Sequence, residues 1–235
     1  MPNRRSAGAL LLAAVLGCAS GFVFAGEAEW KTLIDQTNAQ LQRGNIGQAE
    51  QLARDAVAEV GRTFGHTHRA MDQSLAALGL VLRFAQKYPE AEQELRRALA
   101  LREKALGPGH PSVAILLNNL ADVVQAQKKY AEAEKLHRRV LAAFEKAYGD
   151  DPKTAASLNN LGAAILAQGR NAEAEQVLRR SLAIKEKTLG PSNPSVAHTL
   201  SNLARAVDAL GRKAEAGQLV ARASAIHAGG AAPAR

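Results

Sequence analysis

Two histidines flanking a threonine, His66-Thr67-His68, and a third at His110 are the side chains of this sequence that most invite a metal reading. A zinc site needs three or four converging ligands, each oriented by a further partner. His68 and His110 instead occupy the same place in two successive segments, and Asp151 and Asn193 fill it in the next two. A polar side chain just ahead of an apolar helical run can accept hydrogen bonds from free N–H groups at the helix start. The position therefore reads as a helix cap, and no metal or cofactor is expected.

Other chemistries find no support in the residue pattern. No Gly-rich phosphate loop follows a strand pattern, no Gly-x-Ser-x-Gly elbow occurs, and Cys18 is the only cysteine. The carboxylates come mostly as Glu at helical spacing: Glu90, Glu92 and Glu94 precede Arg96 and Arg97, and Glu132 and Glu134 precede Arg138 and Arg139. That spacing makes solvated pairs one helical turn apart. A non-catalytic protein is expected; a metal-dependent hydrolase or an enzyme accessory subunit is the alternative, and it would retain tightly bound metal on purification.

Asparagine is the residue with recognition chemistry. Asn118-Asn119, Asn159-Asn160 and Ser201-Asn202 each lie between two leucines, so that Asn119, Asn160 and Asn202 recur at one place. Asn is a mediocre helix former, and its recurrence in a helix asks for a reason. Two reasons stand open: an amide ladder between neighbouring helices, or amides turned outward to grip the backbone of an extended peptide, since the group both donates and accepts. One turn further along, Asp122, Gln125, Arg205 and Asp208 would add specificity.

The elements that position these groups follow from an internal repeat. Leu75, Leu117, Leu158 and Leu200 align at offsets of 42, 41 and 42, with Leu78, Leu120, Leu161 and Leu203 three residues later. The same register aligns Ala49, Ala91, Ala133, Ala174 and Ala216, and also Gly65, Gly107, Gly149 and Gly190. The one missing residue falls between Gly149 and Pro152, in a turn, where a structural repeat tolerates it. Leu158, Leu161 and Ile165, then Ala174, Val177, Leu178 and Leu182, keep helical spacing within one unit, so each unit is a helical hairpin. The alanine column marks where two helices cross too closely for a larger side chain.

Composition agrees with this reading. Of the 235 residues 47% are hydrophobic and only 4% aromatic, which suits thin layers of Ala- and Leu-rich helices better than one large core. The expected fold is all-α, a right-handed α-solenoid of about five hairpins. The expected organisation is a divergent first hairpin or cap over 26–65, four repeats over 66–227 (about 66–107, 108–149, 150–190 and 191–227), and a disordered tail over 228–235.

The segment SLNNLGAAILAQGRNAEAEQVLRRSLAIKEKTLGPSNPSVA, from Ser157 to Ala197, resembles the 42-residue tetratricopeptide repeats of kinesin light chains and many bacterial relatives. The resemblance is strong from Thr67 to Ile226. It is weaker over Glu27 to Arg62, where Ala49 keeps register but the leucine pair is absent and Trp30 is prominent. Gly79, Ala121, Gly162 and Ala204 match the family's small-residue position. The family's usual aromatic on the first helix is replaced by Leu82, Val124, Ile165 and Val207, which implies softer packing. The resemblance implies a protein-interaction scaffold whose concave wall, built from the first helix of each hairpin, binds a protein or peptide partner, and a role in envelope assembly, secretion or regulation.

The start of the chain reads as an export signal. Arg4 and Arg5 precede a run from Ala7 to Ala25 with no charged side chain, ending Val23-Phe24-Ala25. Residues 1–25 are the expected signal peptide, with cleavage after Ala25. Val15-Leu16-Gly17-Cys18 resembles a lipobox, so a lipoprotein signal ending before Cys18, with lipidation there, is open, as is an uncleaved anchor. The protein is expected to be periplasmic or secreted, or else lipid-anchored to the envelope membrane. Without Arg4 and Arg5 there remain 28 basic against 22 acidic residues, a net +6. A basic membrane-surface or polyanion-binding accessory protein is the alternative this suggests, and its binding would fall steeply with salt. Nucleic acid is not expected, because no aromatic stacking platform accompanies the basic residues.

Overall fold

The computed structural model describes residues 26–66 and 68–230. The expected signal peptide, Cys18, Thr67 and residues 231–235 lie outside them. All regular structure among the described residues is helical: α1 (26–42), α2 (Ile46–Thr63), α3 (Arg69–Phe84), α4 (Tyr88–Leu106), α5 (Pro111–Ala126), α6 (Tyr130–Tyr148), α7 (Pro152–Leu166), α8 (Asn171–Leu189), α9 (Pro194–Ala209) and α10 (Lys213–Gly230). They form five hairpins in two compact units, one ending at Ala105 and the other beginning at Leu106. The last helix continues through 228–230, which corrects the tail expected from Ala228.

Helix starts obey the capping chemistry. His68 Nδ1 accepts from the Ala70 N–H at 3.1 Å, His110 Nδ1 from Ser112 at 3.1 Å, Asp151 Oδ1 from Lys153 at 2.8 Å and Asn193 Oδ1 from Ser195 at 2.9 Å. In α5, α7 and α9 the cap is followed by Pro, whose missing N–H is unneeded there. Inside each hairpin the turn carries one residue with positive φ: Gly44, Gln86, Lys128, Gly169 and Gly211. Three glycines adopt it freely, whereas Gln86 and Lys128 do so against their side chains.

Packing within each unit follows the leucine and alanine columns. Ala49, Ala91, Ala133 and Ala174 are fully buried and Ala216 nearly so. Across from the small-residue position stands the side chain sixteen residues later. A Cβ on Gly79 would lie 2.6 Å from Leu95 Cγ, and one on Gly162 would lie 2.6 Å from Leu178 Cγ. Where alanine replaces glycine, at Ala121 and Ala204, the residue sixteen later is His137 or Val220 instead of leucine. In the first unit, Trp30 is buried and its Nε1 donates to Ser74 Oγ at 2.7 Å, tying α1 to α3. In the second unit, Leu161, Ile165, Ala174 and Leu178 pack with Leu203, Ala206 and Val207, joining the fourth hairpin to the fifth.

The Glu and Arg residues do more than pair along one helix. Glu50 and Arg54 of α2 pair at 2.8 Å, and Glu50 also takes Lys87 at 2.9 Å while Arg54 reaches Glu90 at 2.8 Å. The same four-residue clasp recurs as Glu134 and Arg138 with Arg170 and Glu173, and as Glu175 and Arg179 with Arg212 and Glu215. The central carboxylates are largely shielded from solvent. At Glu134, burial acts to raise the pKa, but hydrogen bonds from Gln168, Arg138 and Arg170 together hold it below the ordinary carboxylate value. Each clasp fastens the second helix of one hairpin to that of the next.

Candidate partner-binding groove

The first helices of the last three hairpins, α5, α7 and α9, carry the asparagines. Leucines on either side face the core, which leaves the intervening positions half-buried at the helix surface. Asn160 Nδ2 donates to Asn118 Oδ1 at 3.0 Å, and Asn202 Nδ2 donates to Asn159 Oδ1 at 3.2 Å. Within α7, Asn159 Nδ2 reaches Asn160 Oδ1 at 3.5 Å. A continuous amide ladder thus crosses the three helices, and four of the five asparagines belong to it.

Asn119 stands outside the ladder, and its side chain makes no hydrogen bond among the described residues. It lines a pocket of about 210 Å³ between α5, α6 and α7, together with Asn118, Asn160, Ile115, Phe144 and Lys153. Ile115 is 56% exposed and lends the pocket wall an accessible aliphatic side chain. Lys153 Nζ sits 4.3 Å from the centroid of the Tyr148 ring. The pocket therefore offers an amide that can donate and accept, an apolar floor, and one cation at its edge.

The remaining expected residues lie elsewhere. Asp122 and Gln125 are half-buried on α5 and line neither this pocket nor the one between α9 and α10. Arg205 and Asp208 line a second pocket, formed by α9 and α10 alone. Sequence reasoning grouped all nine residues on one wall; the structure brings Asn118, Asn119 and Asn160 together, continues the ladder through Asn159 and Asn202, and sets Arg205 and Asp208 apart. It missed Ile115, Phe144 and Lys153. The signal available for Ile115 was an isoleucine breaking the helical spacing of the core positions on α5.

Among the described residues no three or more His, Cys, Asp or Glu side chains converge on a point that could hold a metal ion. Among the same residues no helix is long and apolar enough to cross a membrane.

Helical hairpins in tandem, with a small residue at the crossing and, in the last four, a capped first helix, define a class of repeat protein, and comparison with known families agrees. A tetratricopeptide repeat model matches residues 71–146, 112–187 and 153–228, and a second tetratricopeptide repeat model matches residues 31–55. The chain belongs to the tetratricopeptide repeat family. No curated protein matches it. Among solved structures, it is similar to a putative kinesin light chain of Podospora anserina with nearly identical repeats (28% identity, TM-score 0.76, covering 86% of this chain and 97% of that one). It is also similar in fold to BtubC of P. vanneervenii (20% identity, TM-score 0.75, 93% and 92% covered) and to the apo form of RapI (15% identity, TM-score 0.75, 86% and 71% covered). Proteins of this family are in general non-catalytic scaffolds with protein or peptide partners.

Proposed function

We propose that the protein is an exported scaffold that holds an extended stretch of polypeptide against α5 and α7, with Asn119 as the backbone-gripping group. The observation that carries this reading is the contrast between Asn119 and the other asparagines. Four amides are consumed in the ladder, which holds the first helices rigid and in register. The fifth has no hydrogen-bond partner among the described residues and lines the same pocket as an exposed isoleucine. A rigid wall presenting one free amide, an apolar contact and a cation suits main-chain recognition with a preference for an apolar residue next to an acidic one. Export is supported by the charge-free run from Ala7 to Ala25 behind Arg4 and Arg5, and cleavage after Ala25 would release the chain to the periplasm or medium. A role in envelope assembly, secretion or regulation fits a scaffold placed there.

The test is selection of binding peptides from a random displayed library, followed by affinity measurement on variants. Asn119→Ala and Ile115→Glu should each weaken binding at least tenfold with helicity unchanged. Binding unaffected by both substitutions overturns the groove. Intact-mass measurement of the protein recovered from cells reads the cleavage site independently.

A further inference from the structure

The position four residues after each buried alanine is occupied by Ala53, Leu95, His137 and Leu178 in the first four hairpins, and all four are buried. In the fifth hairpin it is Val220, which is 52% exposed. Val220 stands in a pocket of about 530 Å³ whose wall is mostly apolar, formed with Ala204, Ala216 and Gly217. Its rim carries Arg205, Asp208 and Lys213. None of these three charges has an ion pair or side-chain hydrogen bond among the described residues, in a protein where most Arg and Glu side chains are paired. Leu210, beside them, is exposed as well.

We propose that this face is covered by the same face of a second copy of the chain, in a two-fold symmetric dimer. Head-to-tail stacking of another hairpin is disfavoured at both ends. Gly217 and Ala221 stand where Glu175 and Arg179 form their half of the clasp, and Asn45 and Gln48 stand where Arg212 and Glu215 form the other half. Each of these two hairpins carries the clasp charges that face its neighbour, but neither carries the half that would receive a further hairpin on its open side.

A two-fold contact uses what is present. In such an interface residue i of one copy meets residue j of the other, and j meets i. Arg205 and Asp208 lie one turn apart on α9 with opposite sign, so the arrangement lets each pair with its counterpart in the other copy, forming two ion pairs. The outward residues of α10, Gly217, Ala221 and Ser224, are small and exposed. They let two helices approach closely, and Val220 of each copy then fills the apolar pocket of the other. The dimer face is separate from the α5–α7 pocket, so it leaves the peptide groove open.

The experiment is sedimentation velocity of the purified protein across the micromolar range. The wild type should reach twice the mass of one chain. Val220→Asp should be monomeric with an unchanged helical spectrum, since the side chain replaced is exposed. Arg205→Asp and Asp208→Arg should each raise the dissociation constant at least about tenfold, because each places like charges across the axis. Mixing the two charge variants should restore the dimer, since every cross-axis pair is then again opposite in sign. A monomeric wild type, a dimer indifferent to all three substitutions, or species growing beyond the dimer with concentration would each overturn the proposal.

Discussion

Asn160 donates to Asn118 at 3.0 Å across neighbouring hairpins, while Asn119, the next residue along α5, donates to nothing described. Two adjacent residues of one type therefore have separable roles. Asn160→Ala should cost about 1 kcal/mol, the net worth of a hydrogen bond in this setting. Asn119→Ala should leave the thermal midpoint unchanged or slightly raised, because alanine is the better helix former. Circular dichroism melts of the two variants check this, and an equal loss in both would show that Asn119 is structural.

Gly162 has no room for a methyl group. Its alanine variant would press on Leu178 and should cost about 1–3 kcal/mol as an overpacked contact. The fifth hairpin indicates the remedy, since Ala204 there faces Val220. Gly162→Ala with Leu178→Val should be less destabilised than the sum of the single changes. A double-mutant cycle by urea unfolding measures that coupling.

Acid should weaken the fold in two stages. His137 is buried, its Nδ1 lacks a hydrogen-bond partner, and burial lowers its pKa from 6.5 to about 4. The unfolded chain takes up the proton first, so stability is complete above pH 6.5 and falls progressively between 6.5 and 4, by an amount on the order of 3 kcal/mol. Glu50, held low by its hydrogen bonds from Lys87 and Arg54, stays charged in the folded state below its ordinary 4.5, and Glu134 and Glu175 do likewise. Their stabilisation is present above 4.5 and lost as pH falls further. His137→Leu, which copies Leu95 and Leu178 at the equivalent positions, should flatten the decline between pH 6.5 and 4. Urea midpoints at several pH values read both stages.

Lys128 holds a left-handed backbone at φ 63°, in the place taken by Gly44, Gly169 and Gly211 in other hairpins. Lys128→Gly should stabilise by up to about 1 kcal/mol, the relief of the side-chain clash less the greater freedom glycine gives the unfolded chain. A higher melting temperature is the expected result, and Gln86→Gly should behave the same way.

Much of the fold was legible because its determinants repeat. The leucine pairs, the alanine column and the capping residues each recur at one register, so His68 could be read as a cap through its alignment with Asp151 and Asn193. The clasps were not legible. Glu134 and Arg138 already satisfy a pattern within one helix, and nothing local indicates that Arg170 and Glu173 close the set from 36 residues away. The division of the asparagines was hidden for a different reason: neighbours in sequence point about 100° apart on a helix, and which of them meets the adjacent helix depends on how the two axes cross. Arg205 and Asp208 were grouped with the asparagines because they follow them on the same helix, and the pattern does not mark that they line a pocket with α10 instead.

The clasps have a consequence for how such a chain can change length. Within each unit, a hairpin presents an identical Glu and Arg to its successor, which receives them with a Lys or Arg and a Glu. Excising residues 152–193 would bring Glu134 and Arg138 against Arg212 and Glu215, the same chemistry with new owners. The hairpins of the second unit are interchangeable links, and that unit can be shortened or extended by whole hairpins without redesigning a joint.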